Sequence, residues 1–222
     1  MGDRSHSLTI PIAVLALLFA GAFALRAHGR AAQASGAGRT VGQVSAQERA
    51  ASFSFDPGVV PGDRDAFLAA VARARPEARA LIGVVDGLVD VHVVVTDAGT
   101  VGTTQQVGSR YSVSVNLGFV SRRYGNRGID RTVLHELGHV IDFALVPPDL
   151  DARLDAAIPR GYGCEDDQTG SCADVRERFA ESFAKWATGD IGVDLYLGYK
   201  VPPPDDLTAW GAPLAALVAP TG

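Results

Sequence analysis

The sequence predicts an α+β domain with a small mixed sheet. Residues 51–222 contain several segments with the apolar repeat of amphipathic helices, and fewer, shorter segments that suit strands, at 89–96 and 111–117. The two kinds of segment do not alternate regularly, which is typical of α+β folds. The stretch is long enough for one domain with a substantial core.

The first 50 residues are predicted to lie outside this domain. Residues 10–25 form an apolar run behind a short polar head, as in a secretory signal. Because Arg26 and Arg30 follow the run, the positive-inside rule keeps a signal anchor as the alternative. Residues 1–27 are therefore predicted to be a signal peptide or a single membrane anchor. Residues 28–50, rich in Ala, Gly, Ser and Gln, are predicted to be a flexible linker.

The domain itself is predicted to begin with helices. Residues 63–75 suit one helix, and Pro76 begins a second that ends near Val85. Residues 89–96 suit a buried strand, and residues 111–117 alternate as expected for a half-exposed strand at the edge of the sheet. The basic segment 122–127 is predicted to be a solvated loop.

The following helix carries the most specific chemical signal of the chain. It is predicted to begin at Asp130 and to end before Pro147. Within it, His135 and His139 lie one turn apart on the same face, where both imidazoles can bind one metal ion. Glu136 can reach a water bound to that ion. This His-Glu-x-x-His pattern is typical of zinc peptidases, in which the glutamate is the general base.

A catalytic zinc ion needs a third protein ligand. His92 is the only other histidine of the domain, and in its apolar strand a core histidine is the better interpretation. Residues 173–187 are predicted to form a helix capped by Asp174, with Glu177 and Glu181 one turn apart. Either glutamate can bind the ion while the other accepts a hydrogen bond from a histidine ligand.

The two helical segments together resemble the gluzincin branch of zinc peptidases that includes the anthrax lethal factor catalytic domain and the Pro-Pro endopeptidases. The sequence His-Glu-Leu-Gly-His-Val-Ile-Asp at 135–142 is similar to the family's first helix, and Glu-Arg-Phe-Ala-Glu-Ser-Phe at 177–183 to its second. The resemblance covers residues 130 to 190 and implies a zincin-like fold with one zinc ion. It implies the ligands His135, His139 and Glu177, with supporting roles for Glu181 and Asp142.

The resemblance also implies a tyrosine before the ligand glutamate that stabilises the oxyanion. Tyr162 is the candidate by residue type, but it stands farther from Glu177 than the family spacing, so the match requires an insertion. Cys164 and Cys172, the only cysteines of the chain, bracket that insertion and are predicted to form a disulfide. A disulfide agrees with a location outside the cell, either secreted or anchored facing outward.

The charge balance argues against nucleic acid as a partner. The chain has 20 basic and 25 acidic residues, a formal net charge of −5, and the acidic excess remains without residues 1–34. We expect an exported zinc metallopeptidase, an endopeptidase acting on a peptide or protein substrate, with Glu136 as base and Tyr162 assisting. The alternatives are a zinc hydrolase of a non-peptide amide, such as a cell-wall component, and a secreted binding domain with a non-catalytic zinc.

Overall fold

The structure is a computed structural model of the 222-residue chain. It describes residues 52–95, 101–160, 173–192 and 201–219. All of these belong to one compact unit, 44–222. The predicted signal or anchor and the predicted linker lie outside the described residues. Among the described helices, none combines the length and the apolar character that crossing a bilayer requires.

Six α-helices and a four-stranded mixed sheet make up the described part of the chain, which confirms the α+β class. In chain order the elements are β1 (Ser54–Phe55), α1 (Pro61–Arg73), α2 (Pro76–Val85), β2 (Val89–Val93), β3 (Gly102–Val107), β4 (Arg110–Val115), α3 (Leu117–Leu145), α4 (Pro148–Ala156), α5 (Val175–Thr188) and α6 (Leu207–Ala216).

The sheet has the strand order β1-β2-β4-β3, with β1, β2 and β4 parallel and β3 antiparallel to β4. Its inner face is built by fully buried valines of β2 and β4, namely Val89, Val91, Val113 and Val115. His92 follows Val91 and therefore points to the opposite face. Its side chain is 38% exposed, with Nδ1 3.5 Å from the Asp56 carboxylate. The prediction of a core histidine is wrong.

The edge of the sheet beside the histidine motif is β3 rather than the strand at 111–117. That strand is present as β4 and alternates as predicted, but it lies between β2 and β3. The segment Gly102–Val107 reads Gly-Thr-Thr-Gln-Gln-Val and lacks apolar alternation. Pairing with β4 through a turn at Gly108, where φ is 62°, makes it a strand.

The long helix α3 begins well before the predicted start at Asp130. Asn116 is its N-cap, and the Asn116 side chain accepts a hydrogen bond from the backbone N–H of Phe119 at 3.3 Å. Gly125 interrupts the helix with φ 62°, so the half that carries the histidines starts just after this kink. Asp130 lies inside that half and accepts hydrogen bonds from the Arg73 guanidinium of α1.

The basic segment 122–127 lies within α3 and is helical on both sides of the kink at Gly125, so the prediction of a loop is wrong. Arg127 illustrates why its charges are compatible with a helix. Its guanidinium pairs with Asp190, with Nη2 2.8 Å from Oδ1, and so joins α3 to the chain that follows α5. Charged residues on the outer face of a packed helix give no periodic apolar signal, although the backbone is helical.

Helix α5 forms where it was predicted. The carboxylate of Asp174 accepts hydrogen bonds from the backbone N–H groups of Arg176 and Glu177 at 2.9 and 3.0 Å, which confirms the N-cap. The apolar stripe of α5, formed by Phe179, Phe183 and Trp186, is buried.

The backbones of α3 and α5 approach closely at Gly138. A Cβ atom at this position would lie 3.1 Å from Cα of Ala180, closer than side-chain carbons normally come to a backbone. The absence of a side chain therefore lets α5 settle against the helical turn that joins the two histidines of α3.

We expect Gly211→Ala to lower the free energy of unfolding by about 1–3 kcal/mol, the usual effect of overpacking a core. Gly211 lies in α6, and a Cβ atom there would come 1.9 Å from Nε1 of the buried Trp186 indole. Gly83→Ala in α2 is the matched control, because a Cβ atom there meets nothing within 4 Å. The control should be neutral or stabilising by up to about 1 kcal/mol. Urea denaturation measures the free energy of unfolding of both variants. Equal changes in the two would contradict the close contact between Gly211 and Trp186.

Candidate metal centre

The structure brings together the three residues expected to bind a metal. His135, His139 and Glu177 each offer one ligand atom, and these atoms lie within 4.8 Å of one another. Nε2 of His135 is 3.1 Å from Oε2 of Glu177, and Nε2 of His139 is 3.5 Å from Oε1. Two imidazoles and a carboxylate that converge on one point match the donor set of a catalytic zinc site.

The two helices determine this geometry. On α3, the histidines are separated by one helical turn, and their ring centroids are 5.0 Å apart. Glu177 lies in the first turn of α5, directly after the capped end. The close approach at Gly138 brings that first turn over the two rings.

The remaining ring nitrogen of His135 is held by Glu181. Nδ1 lies 3.2 Å from Oε2 of Glu181, one helical turn beyond Glu177. A hydrogen bond from Nδ1–H to this carboxylate leaves Nε2 for a metal, the arrangement commonly found around metal-bound histidines. Of the two glutamates, Glu177 approaches Nε2 of both histidines, whereas Glu181 approaches only Nδ1 of His135.

The carboxylates of Glu177 and Glu181 stabilise a positive charge on His135. Burial lowers the pKa of His135, but hydrogen bonds to Glu177 and Glu181 outweigh burial and raise it to about 10. Burial raises the pKa of Glu177, but hydrogen bonds from the two histidines outweigh it and hold the pKa well below its usual range. A metal at Nε2 would take the place of a proton, so its binding would release protons and weaken at low pH.

His139 is held by packing rather than by a second carboxylate. Its ring stacks on Phe143 at a centroid distance of 6.0 Å, and Phe143 stacks in turn on Tyr111 of β4. Nδ1 of His139 is buried and has no hydrogen-bond partner in the described part of the chain. The guanidinium of Arg176 covers Phe143 at 4.6 Å.

Glu136 lies under the edge strand. It is buried, and its Oε2 accepts a hydrogen bond of 2.7 Å from the hydroxyl of Thr104 in β3. A Cβ atom at Gly102 would lie 2.3 Å from Oε1, so only a glycine lets β3 pass this close to the carboxylate. Burial raises the pKa of Glu136, and the nearby His135 charge opposes this only in part. A carboxylate with a raised pKa is a better proton acceptor.

Gly102 and Thr104 were not identified from the sequence, because β3 has no recognisable strand pattern. In the sequence, Gly102 and Thr104 lie far before the histidine motif, with Thr104 32 residues from Glu136, so nothing local links them to it. Tyr162, Cys164 and Cys172 lie outside the described residues, so the oxyanion donor and the disulfide stay predictions.

Asp142, expected to support the site, lies close enough to His139 for the two groups to interact electrostatically. No hydrogen bond joins its carboxyl group to His135 or His139 in the described part of the chain. Its closest charged partner is Arg176, at 3.6 Å. Burial and the negative charge of Asp151 raise the pKa of Asp142 to about 6, and Arg176 counteracts this only partly.

We expect Asp142→Asn to stabilise the protein in a pH-dependent way. The pKa of Asp142 is raised from its unfolded value of about 3.9, so folding is opposed only when the group is ionised. The advantage of the variant should be small near pH 4, grow as the pH rises to about 6, and stay constant above. Urea denaturation between pH 4 and 8 in chelator measures it. The exposed Asp205→Asn is the control, and parallel curves for both variants would contradict the burial effect.

No family model, curated protein or solved structure matches this chain.

Proposed function

We propose that the protein is a zinc metallopeptidase of gluzincin type with a zincin-like fold, acting outside the cell. The observation that carries the proposal is the convergence of His135, His139 and Glu177, with Glu136 on the same helix and buried beside them. A structural zinc site needs no base, so the presence of Glu136 favours an enzyme over a binding domain.

Different residues of the chain have different roles in the proposed hydrolysis of an amide bond. Zinc, when bound, supplies a Lewis acid that polarises the scissile carbonyl and acidifies a water molecule. Glu136 accepts the proton of the water and passes it to the leaving amine. The Thr104 hydroxyl holds Oε2 of Glu136, which fixes the carboxylate between α3 and β3. Tyr162 is the proposed donor to the oxyanion.

The free edge of β3 supports a peptide as the substrate. In the described part of the chain, β3 pairs only with β4, and its other edge is open beside Glu136. An extended peptide can add to such an edge as a further strand, with main-chain hydrogen bonds holding it along the site. A cell-wall amide without a peptide backbone would gain little from this edge. The non-peptide alternative is therefore less well supported.

The decisive experiment measures metal and cleavage on the same protein preparation. The full chain is analysed for bound metal and incubated with a peptide library, with chelator and with added zinc. We expect one zinc per chain and peptide cleavage that the chelator abolishes and zinc restores. A chain that binds no zinc would refute the proposal. A zinc-loaded chain that leaves every peptide intact but hydrolyses cell-wall material would establish the alternative.

We expect Gly102→Ala to impair catalysis and leave zinc binding intact. The added methyl group must displace the Glu136 carboxylate, and a misplacement of about 1 Å can reduce the rate up to about 100-fold. Thr103→Ala, at an exposed neighbouring position of the same strand, is the control and should have no effect. Cleavage rates and zinc affinity are measured side by side. Loss of zinc affinity in Gly102→Ala would contradict the assigned role of this close contact.

A further inference from the structure

Two buried cations converge on Glu181 from behind the metal centre. Nη1 of Arg131 is 3.4 Å from Oε1 of Glu181, and Nζ of Lys185 is 3.3 Å from the same oxygen. The three residues are 2%, 3% and 8% exposed for Arg131, Lys185 and Glu181. Charged side chains are rarely buried this deeply unless they pair with an opposite charge. The contacts of Glu181 with Arg131 and Lys185 are therefore buried ion pairs of the protein interior.

The two oxygens of Glu181 have different partners. Oε2 lies 3.2 Å from Nδ1 of His135, whereas Oε1 faces both cations. The partners are spaced by helical turns, since Arg131 precedes His135 by four residues on α3, and Lys185 follows Glu181 by four on α5. This arrangement fixes the rotation of the carboxylate, because turning it would take Oε1 away from two positive charges.

Each cation is itself anchored by a backbone carbonyl. Nη2 of Arg131 donates to the carbonyl oxygen of Asp190 at 3.0 Å, and Nζ of Lys185 donates to that of Val201. Nη1 of Arg131 has no hydrogen-bond partner in the described part of the chain, so its contact with Glu181 is electrostatic. The cations cannot follow a moving carboxylate, and so they act as fixed points.

We propose that Arg131 and Lys185 are positioning residues, which orient the zinc ligand His135 by clamping the carboxylate of Glu181. The inference rests on the proposed zinc site. A carboxylate behind a metal-bound histidine fixes the ring and makes it a better ligand, and loss of such a partner typically costs about 10–100-fold in metal affinity. Lys185 and Arg131 hold the Glu181 carboxylate in place, and so they affect the orientation of His135 without contacting it.

Direct electrostatics would act in the opposite direction. A buried positive charge near a divalent cation repels it, so removal of Lys185 should strengthen zinc binding if charge alone mattered. Removal of Lys185 should weaken zinc binding if the clamp on Glu181 matters more. The sign of the change in zinc affinity therefore separates the two effects.

The test is a double-mutant cycle on the full chain with Lys185→Met and Glu181→Gln. Zinc dissociation constants are measured by competition with a chelator, and urea denaturation of each chelator-treated variant checks folding. We expect Glu181→Gln to weaken zinc binding by about 10–100-fold and Lys185→Met by about tenfold. In the Glu181→Gln background, Lys185→Met should cause no further loss, because the residue acts through the missing carboxylate. Arg79→Met, an exposed cation on α2, is the control for loss of a charge.

The possible outcomes separate this inference from the proposed function. Zinc binding by the unaltered chain with unchanged or tighter binding in Lys185→Met overturns the inference alone. Equal losses in both backgrounds also overturn it, because Lys185 would then act independently of Glu181. A chain that binds no zinc overturns the proposed function and the inference together.

A second pair of variants covers the case in which Lys185→Met does not fold. Arg131→Lys keeps the charge beside Glu181, whereas Arg131→Met removes it. The clamp predicts that zinc affinity is largely retained in Arg131→Lys and reduced in Arg131→Met. Equal zinc affinities in these two variants would overturn the inference.

Discussion

Replacement of Glu136 by glutamine is expected to reduce peptide hydrolysis by about 10²–10⁴-fold, the usual contribution of a general base. The amide has nearly the same size and can still accept the hydrogen bond from Thr104, but it cannot take a proton from water. Because burial raises the pKa of Glu136, the neutral amide should cost the fold nothing. The variant should therefore remain folded and bind zinc.

The measurement compares cleavage rate, zinc content and urea denaturation of the two proteins. Low activity with full zinc content identifies Glu136 as a group that acts in the reaction rather than in metal binding. Full activity of a zinc-loaded Glu136→Gln protein would refute the mechanism. In that case the buried carboxylate would have to serve the contact between α3 and β3.

Glu177→Ala is expected to remove most of the stabilisation that zinc gives the protein. A ligand that binds only the folded state, at about 1,000 times its dissociation constant, stabilises that state by about 4 kcal/mol. With one of three protein ligands missing, the same zinc concentration should have a much smaller effect. Thermal unfolding across a series of zinc concentrations measures the difference.

Glu77→Ala is a matched control for this experiment. Both glutamates lie in the first turn of a helix, so both variants lose the same favourable interaction with the helix dipole. Only Glu177 faces the histidines. An unchanged response to zinc in Glu177→Ala would show that the ligand is wrongly assigned.

Elements with strong local signals were predictable from the sequence. Pro76 can stand at the first position of a helix but not inside one, and α2 begins there. Asp174 has a side chain that can cap a helix, and α5 follows it directly. The approach of Glu177 to His135 and His139 was expected because a catalytic zinc needs a third ligand and because the two segments resemble gluzincin helices, not from a local signal.

Features that depend on distant partners were missed. β3 has polar residues where a strand normally alternates, because its inner side faces Glu136 rather than the apolar core. His92 was misassigned because the valines that follow it, Val93, Val94 and Val95, suggest a strand buried on both faces. The alternation of Asp90 and His92 with buried valines, which marks their face as the more exposed one, was overlooked. Arg131 and Lys185 look like ordinary surface residues of amphipathic helices. Only the packing of α3 against α5 shows that both face a buried carboxylate.

The contact at Gly138 has a consequence for the order of events during folding. His135 and His139 are neighbours in any helical turn, but Glu177 reaches them only after α5 has settled against the Gly138 surface of α3. The unfolded chain therefore has at most a weak two-histidine site, and the complete site requires the packing of α5 against α3. An ion captured after the rate-limiting barrier leaves the folding rate almost unchanged and slows unfolding instead. Zinc bound as proposed would then prolong the lifetime of the native protein without helping the chain to reach its native state.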